Sequence, residues 1–516
     1  MSDFFKRLWQ GGKKQLDYSD NDTFKRYENG LRRLLERMGK THPRRVEALT
    51  LEARLKENIS GELLHGSSDT RSAERSEIIY ALNKLAVEAT STSFNELAGL
   101  SITYNDMEQA PDKLRRYLLY RQFEFITQQQ AEGFVGREFL FKEVNECLRN
   151  YTFKSGYIII EGEPGIGKTA FIAAMVRRYR CVHHYVNAQE GIIDAKQFLE
   201  SVCAQLILRY GLPTNLLEDA ESEPDNLFKV LLSRAVSVAD EKQVVILIDA
   251  LDEASDKDLP NKYANCLLLP RYLPDGAFIV ATTRPPRDTT SLPATSPERL
   301  GHSNLVVNNS RIIPLRGSDE QNLLDIREYV KQFIEKHPSI MRQRMAEWNA
   351  SDSQFTDELV KKSEGNFMYI VSMLRDIFEG RITKDTIDDI SFLPDGLNRY
   401  YQFHWQRMRD MAPEEFERMY KPVACFLAAA QGPVSIQDIA SWSDIEPEQV
   451  LRVLNDWKQF FKMPDPGNRR RHYQLYHTSF RDFLYEVEGL KYYHERIAEE
   501  IFRKMGGNPD AFKWEP

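Results

Sequence analysis

This chain of 516 residues is poor in cysteine and has no long apolar run. Its five cysteines are scattered, without the spacing of a zinc site or a disulfide framework, so we expect reduced core residues of a cytoplasmic protein. No stretch approaches the roughly 18 apolar residues that a membrane span needs, so no membrane span is expected. A formal net charge of −8 argues against nucleic acid as a general partner.

The first part of the chain is predicted to be helical. Apolar residues recur at helical spacing in residues 23–98, which predicts a helical bundle behind a flexible tail at 1–22. The bundle contains no catalytic constellation, so we expect it to be an adaptor domain that binds a protein partner. A linker helix is expected over 99–132.

The rest of the chain changes pattern twice, which predicts a multidomain α/β plus all-α protein. Strands alternate with helices over 133–315, as is typical of a parallel, doubly wound sheet. Helices return over 316–395, and Pro394-Asp395-Gly396 marks a joint before a further domain at 396–490. A C-terminal helix and tail follow at 491–516. The predicted strands are Tyr157–Ile160, His183–Asn187, Val244–Asp249, Phe278–Thr283 and Arg311–Pro314.

A glycine-rich motif follows the first of these strands. It fits the pattern G-x-x-x-x-G-K-[ST] and reads Gly162-Glu163-Pro164-Gly165-Ile166-Gly167-Lys168-Thr169, followed by Ala170 in a helix-like segment. A strand, a glycine-rich turn and a helix N-terminus bind phosphate, because free backbone N–H groups and the helix dipole face the anion. We expect Lys168 to reach the terminal phosphates and Thr169 to hold Mg²⁺. The motif therefore predicts a nucleotide triphosphate site.

Carboxylates follow the buried strand Val244–Asp249. Asp249 at the end of that strand is expected to hold Mg²⁺ together with Thr169. Asp252 and Glu253 come within reach of the same face, and one of them is expected to orient or deprotonate the attacking water. Both acids also suit the first turn of a helix, so the sequence leaves the choice of base open, with Glu253 preferred.

An arginine and a short loop complete the predicted site. Arg284 follows the apolar strand Phe278–Thr283, at the edge where ligands bind in such sheets, and can contact the terminal phosphate. Val135-Gly136-Arg137, just before the α/β region, is expected to close over the base and ribose.

In their order along the chain, these motifs resemble the STAND class of signalling P-loop ATPases, and the D-x-x-D-E form at Asp249 is most similar to its NACHT branch. The resemblance implies a NACHT-like P-loop NTPase domain at 133–315, a helical domain at 316–395 and a winged-helix domain at 396–490. Ser363–Tyr369 resembles the segment that contacts adenine, with Phe367 in place of the family's usual proline. Leu475–Leu484 resembles the winged-helix motif in which a histidine, here His477, senses the β-phosphate of ADP.

The resemblance also implies a function. ADP, held between the P-loop domain, Arg284 and His477, would keep the molecule closed and monomeric, and exchange for ATP would release a homo-oligomer. Hydrolysis would be slow and would reset the switch, in a context of bacterial defence against phage. Such proteins usually continue into a repeat array that recognises the trigger, so the sensor is expected either in a missing segment or in a separate protein.

Two other functions fit parts of the pattern. A DNA-binding loader ATPase also joins a P-loop core to a winged helix, and Arg469-Arg470-Arg471 on the wing could clamp phosphates. The acidic net charge and the motif at His477 argue against it. A scaffold that binds nucleotide only for stability is the other alternative, and the complete set of Lys168, Thr169, Asp249 and Glu253 argues against it.

Overall fold

The computed structural model describes residues 20–65, 69–90, 94–98, 107–108, 110–150, 152–188, 190–212, 224–239, 242–255, 265–285, 309–430, 432–462 and 472–504. The predicted tail at 1–22 therefore lies almost wholly outside the described residues, as does Arg469-Arg470-Arg471. None of the described helices is long and apolar enough to cross a membrane.

The described residues of the N-terminal bundle form four helices: α1 (Asp20–Met38), α2 (Arg45–His65), α3 (Asp69–Thr90) and α4 (Phe94–Leu97). Their apolar residues build a core of their own, in which Leu34, Leu55 and Leu82 are fully buried. The bundle docks on the next domain where the backbone of Gly211 lies against Asn83, so closely that a Cβ at Gly211 would lie 2.9 Å from the Asn83 carbonyl carbon.

Over residues 110–132, which the structure describes, two helices lie where the sequence predicts a single linker helix. They are α5 (Asp112–Arg115) and α6 (Tyr120–Ala131), separated at Leu119, whose ψ of 39° is not helical. Leu114 and Phe123 are fully buried and belong to the two hydrophobic cores of the α/β domain. Residues 112–131 are thus packed into the domain that they precede, because their apolar side chains cover its sheet.

The α/β domain is built on a parallel sheet of five strands in the order β2-β3-β4-β1-β5. Alternate side chains point to opposite faces of each strand, so Ile159 joins one core and Ile158 and Ile160 join the other. The strands are β1 (Gly156–Gly162), β2 (Val182–Tyr185), β3 (Val244–Asp249), β4 (Ala277–Thr283) and β5 (Ser310–Leu315). Each predicted strand is confirmed to within two residues at either end.

Helices cover both faces of this sheet, as expected for strands whose connections are parallel crossovers. They are α7 (Glu138–Leu148), α8 (Lys168–Tyr179), α9 (Ala195–Tyr210) and α10 (Pro224–Val238), with a short 3₁₀ turn at Leu251–Glu253. In the strand register, Glu161 pairs with Thr283 and Ile248 pairs with Ala281. The carboxyl ends of β1, β3 and β4 therefore meet at one edge of the sheet.

A helical segment follows β5 and leads into a C-terminal module. The segment contains α11 (Glu320–Lys336), α12 (Pro338–Glu347), α13 (Asp352–Lys362) and α14 (Phe367–Phe378). The module contains α15 (Gly396–Met411), α16 (Pro413–Glu415), a π-helical turn (Phe416–Tyr420), α17 (Lys421–Ala429), β6 (Val434–Ser435), α18 (Ile436–Ser443), α19 (Pro447–Asp456), β7 (Phe461–Lys462), β8 (His472–Leu475), α20 (Thr478–Glu488) and α21 (Lys491–Lys504). Its three strands form an antiparallel sheet in the order β6-β8-β7. One continuous hydrophobic core runs through the segment and the module.

Candidate nucleotide-binding site

A cavity of about 670 Å³ lies at the sheet edge where β1, β3 and β4 end. Its walls come from three parts of the chain: the α/β domain, helices α11 and α14, and the start of α20. Fourteen of the predicted site residues line it: Val135, Arg137, Pro164, Gly165, Gly167, Lys168, Thr169, Ala170, Asp249, Asp252, Glu253, Arg284, Phe367 and His477.

The phosphate loop runs from the end of β1 into the first turn of α8. Gly165 and Gly167 have φ angles of 80° and 101°, which side chains other than glycine rarely adopt. The Lys168 ammonium donates to the carbonyl oxygens of Gly162 and Glu163, at 2.5 and 3.0 Å. Ile166 is buried in the core beneath the loop. Burial lowers the pKa of Lys168, although Asp252 and Asp249 counteract this. The ammonium thus lies where a terminal phosphate would be received.

Asp249 is placed to hold a divalent cation with the phosphate loop. Its carboxylate accepts the Thr282 hydroxyl at 2.6 Å. Burial raises the pKa of Asp249, while the Thr282 and Thr169 hydroxyls lower it. No cluster of three or more His, Cys, Asp or Glu among the described residues could hold a metal. The pair Thr169 and Asp249 still fits Mg²⁺, which binds to one or two protein oxygens together with phosphate oxygens.

The two acids after Asp249 have different surroundings. Ala250 has a left-handed φ of 56° and turns the chain, so that Asp252 faces Arg284, whose Nε lies 3.0 Å from Oδ2. Glu253 accepts the Ala188 backbone N–H at 3.1 Å. Burial raises the pKa of Glu253 to about 7, and the charge of Asp252 adds to the shift. A carboxyl group with such a pKa suits a general base at neutral pH.

Arg284 joins the α/β domain to the C-terminal module. Beyond its contact with Asp252, its Nη1 lies 2.7 Å from the Asp482 carboxylate, and its Nη2 donates to the Thr478 hydroxyl at 2.7 Å. Both of these partners belong to α20. The predicted phosphate-reading arginine is therefore at the cavity, and its guanidinium is shared with the module.

Arg137 ties the loop before α7 to the helical segment. Its backbone N–H donates to the Asp325 carboxylate at 2.9 Å, and Gly136 before it also lies against that side chain. The Arg137 guanidinium lies 4.7 Å from the centre of the Phe367 ring, a cation–π contact. Burial lowers the pKa of Arg137 to about 10, so the group stays charged at neutral pH. Val135, Arg137 and Phe367 all line the cavity.

A second contact brings α14 onto the phosphate loop itself. The Asn366 amide donates to the Pro164 carbonyl at 2.9 Å, and the Met368 backbone N–H donates to the Gly165 carbonyl at 2.9 Å. Asn366 also caps α14, because its side-chain oxygen accepts the Tyr369 N–H. The segment predicted to contact adenine is thus in direct contact with the phosphate loop.

His477 lines the cavity at the start of α20. Its Nδ1 accepts the Ser479 backbone N–H at 3.1 Å and so caps that helix. The ring proton then belongs on Nε2. Burial lowers the pKa of His477 to about 3, and the nearby charges of Arg284 and Lys168 act in the same direction. His477 is therefore neutral, with Nε2–H as its donor.

Four residues that support the site were not predicted as part of it: Thr282 beneath Asp249, Asn322 beneath Arg137, Asn366 on the phosphate loop and Asp482 on Arg284. Asn366 and Asp482 fall inside segments that the family resemblance highlights, which is the signal that could have found them. Asn322 lies 185 residues from its partner Arg137, and nothing in its local sequence indicates that contact.

The α/β domain that contributes to this cavity is similar in sequence to known ATPase domains. The family model of the AAA ATPase domain matches residues 133–261. Over 149 residues the chain is 30% identical to the NACHT domain- and WD repeat-containing protein 1 of Homo sapiens. That match covers 26% of this chain and 10% of the human protein, so the chain spans about a tenth of the length of this relative.

Solved structures show only low overall similarity. A STAND protein with a tetratricopeptide repeat sensor from Pyrococcus horikoshii is 18% identical, with a TM-score of 0.38, and the match covers 72% of this chain and 45% of that one. The RuvB Holliday junction branch migration motor of Thermotoga maritima is 12% identical, with a TM-score of 0.26, over 73% of this chain and 100% of that one. The ATPase domain matched over residues 133–261 and the similarity to a NACHT-type protein agree with the P-loop ATPase that the motifs predict.

Proposed function

We propose that this ATPase is a nucleotide-controlled switch, which binds ADP or ATP with Mg²⁺, hydrolyses ATP slowly and oligomerises when ATP replaces ADP. The observation that carries the proposal is the cavity whose walls come from the α/β domain, the helical segment and the C-terminal module. A nucleotide in that cavity contacts all three at once. A ligand that binds one of two arrangements of these three parts more tightly than the other shifts the population toward that arrangement.

His477 is the residue through which ADP would favour the present arrangement, which we call the closed form. Its Nε2–H is the donor left after Nδ1 caps α20. His477 and Lys168 line the same cavity, so a β-phosphate bound to Lys168 is the natural acceptor. A hydrogen bond from the module to the diphosphate then stabilises the closed form.

The α/β domain supplies the groups that ATP hydrolysis needs. Lys168 would bind the terminal phosphates, and Thr169 and Asp249 would hold Mg²⁺, which would supply positive charge to neutralise the phosphates. Glu253 takes the proton of the attacking water. In the closed form, however, Glu253 accepts the Ala188 N–H and lies 3.8 Å from Arg284. Because these contacts engage the Glu253 carboxylate, they support slow turnover that depends on the position of the module.

We also infer that the C-terminal module contains a winged helix. The order α17-β6-α18-α19-β7-β8, with β8 between the other two strands, is the order of helices and strands in that fold. Because the start of α20 follows β8 directly, a rotation of this unit would carry His477, Thr478 and Asp482 away from the nucleotide. Such a rigid-body change is one of the ordinary routes of switching.

Light scattering coupled to size-exclusion chromatography tests the proposal. The protein is measured with ADP and with a non-hydrolysable ATP analogue, each with Mg²⁺. We expect a monomer with ADP and a larger assembly with the analogue. Lys168→Ala, which removes the phosphate-binding ammonium, should stay monomeric with both nucleotides.

Glu253→Gln separates a switch from a nucleotide-binding scaffold. If hydrolysis resets the switch, this variant should retain ATP and form more oligomer than the wild type when ATP itself is added. A molar mass that is the same for ADP and ATP analogue, in the wild type and in Glu253→Gln alike, would rule out the switch.

A further inference from the structure

The Arg284 guanidinium is divided between two parts of the molecule. Its Nε faces Asp252 of the α/β domain at 3.0 Å, and its Nη1 and Nη2 face Asp482 and Thr478 of α20, each at 2.7 Å. Burial lowers the pKa of Arg284, but the charges of Asp482 and Asp252 outweigh it and the pKa is raised. The guanidinium is thus charged and paired in the closed form.

Asp482 offers Arg284 the same kind of acceptor as a phosphate does. Carboxylate and phosphate oxygens both accept hydrogen bonds from the planar N–H groups of a guanidinium. Because a guanidinium has a fixed number of these groups, the two kinds of acceptor compete for them. Arg284 and Lys168 line the same cavity, and the charge of Arg284 acts on Lys168, so a third phosphate next to one held by Lys168 would reach this ion pair. It must then displace the Asp482 carboxylate or lie beside it.

Both of these outcomes cost free energy. Displacement breaks a charge-assisted hydrogen bond. Without displacement, the third phosphate lies among Asp252, Glu253 and Asp482, and like charges at such distances repel. A diphosphate ends before this position and meets neither cost. The difference in binding free energy between the diphosphate and the triphosphate therefore depends mainly on one carboxylate of the module, that of Asp482.

We propose that Asp482 is the residue that makes the closed form select a nucleoside diphosphate over a triphosphate. The inference rests on the proposed switch and names the residue that sets its threshold. Asp482 acts by occupying Arg284, with which it pairs at 2.7 Å.

The test compares Asp482→Asn with Glu486→Gln. Asn keeps the shape of the side chain and removes its charge. Glu486 is an exposed acid one helical turn further along α20, so Glu486→Gln removes the same charge from the same helix without touching Arg284. The dissociation constants of fluorescent ADP and of a fluorescent non-hydrolysable ATP analogue are measured for each protein at one ionic strength.

We expect Asp482→Asn to raise the affinity for the triphosphate relative to the diphosphate by about tenfold, the equivalent of one charge-assisted hydrogen bond. Glu486→Gln should leave that ratio within about twofold of wild type, as expected for an exposed charge. A ratio in Asp482→Asn equal to that of Glu486→Gln would overturn the proposal, and so would an equal change for both nucleotides.

A second variant and a double variant complete the test. Thr478→Val removes the neutral contact of α20 with Arg284. It should raise the affinity for the triphosphate relative to the diphosphate by less than Asp482→Asn does. This variant replaces Asp482→Asn in the test if Asp482→Asn does not fold. In an Arg284→Gln background, adding Asp482→Asn should change the ratio much less, because no guanidinium is left to share. An undiminished effect there overturns the mechanism.

The two proposals fail in different ways. If the wild type binds both nucleotides and changes its assembly state between them, but Asp482→Asn keeps the wild-type ratio, only the role of Asp482 fails. If the wild type shows one assembly state with either nucleotide, the switch itself fails.

Discussion

The Arg137 guanidinium donates to the Asn322 side chain at 2.6 Å, in a contact that is almost wholly buried between the α/β domain and the helical segment. The same guanidinium donates to the Ile166 carbonyl of the phosphate loop at 2.6 Å. Asn322 in turn donates to the carbonyl oxygens of Gly317 and Gly365. One arginine and one asparagine therefore fix α11 and the segment before α14 relative to the loop that receives phosphate.

Arg137→Lys should destabilise the protein by about 1–3 kcal/mol, because an ammonium cannot reach both buried acceptors and leaves one unpaired. The measurement is chemical unfolding without nucleotide. Arg327→Lys is the control, since Arg327 lies on α11 in an exposed pair with Asp357 and should change stability by less than about 0.5 kcal/mol. Equal losses in the two variants would contradict the assignment.

Gly165→Ala should detach α14 from the phosphate loop. A Cβ at Gly165 would lie 2.7 Å from the Asn366 Oδ1 and 2.9 Å from the Met368 Cβ. Gly191→Ala is matched to it, because Gly191 has a similar left-handed φ of 70° and open space around it. We expect faster amide hydrogen exchange at the start of α14, over residues 366–370, in Gly165→Ala only. Faster exchange there in both variants would mean that backbone strain alone is responsible.

His477→Asn separates the two roles of His477. Asparagine is a good helix N-cap, so α20 should keep its stability, with a melting temperature near that of wild type. Its shorter side chain cannot place a donor where the imidazole Nε2–H lies, and ADP affinity should fall by about tenfold. Calorimetric titration measures the affinity, and loss of ADP binding without loss of thermal stability is the expected pattern. An unchanged ADP affinity would remove His477 from the diphosphate site.

The pH dependence of turnover identifies the base. The pKa of Glu253 is raised to about 7, mainly by burial. A base acts when ionised, so kcat/KM should rise with pH, reach half its maximum near pH 7 and level off above it. Because the charge of Asp252 helps to raise that pKa, Asp252→Asn should move the midpoint to lower pH, whereas Glu253→Gln should abolish turnover. If Asp252→Asn abolishes turnover and Glu253→Gln only shifts the profile, Asp252 is the base.

Strands β1, β3, β4 and β5 could be predicted from the sequence because each is an apolar run that ends at a charged residue or a proline. Val244–Asp249 keeps the bounds that its sequence indicates. The site followed from the same property, since parallel strands that end in Gly162, Asp249 and Thr283 bring those residues to one edge. The helices α5 and α6 were harder to predict, because their apolar faces cover a sheet whose strands come later in the chain.

Contacts across domains could not be read from local pattern. Arg284 and Asp482 lie 198 residues apart, and Arg137 and Asn322 lie 185 apart. Each of these side chains is of a type that is usually exposed, and its burial is decided by packing between separate parts of the chain. The sequence therefore located the phosphate loop and Lys168, while the partners that restrain Arg137 and Arg284 required the three-dimensional structure.

His184 on β2 should make the protein sensitive to mild acid. It is 1% exposed, packs edge-on against Phe123 and Phe198, and its Nδ1 has no hydrogen-bond partner among the described residues. Burial lowers the pKa of His184 to about 3, with the neighbouring His183 acting in the same direction. An unfolded histidine titrates near pH 6.5, so the unfolded state binds more protons below that pH.

The stability that His184 contributes by remaining neutral is therefore complete above about pH 6.5 and is lost as the pH falls from there toward 3. Between pH 7 and pH 5 the loss is about 2 kcal/mol. His184→Phe removes the titration and keeps an aromatic ring in the same packing, so its stability relative to wild type should improve by about that amount over the interval. His42→Gln, which removes a half-buried histidine of the N-terminal bundle, is the control. Chemical unfolding at both pH values measures the change, and a His184→Phe difference that does not vary with pH would show that His184 does not become protonated on unfolding.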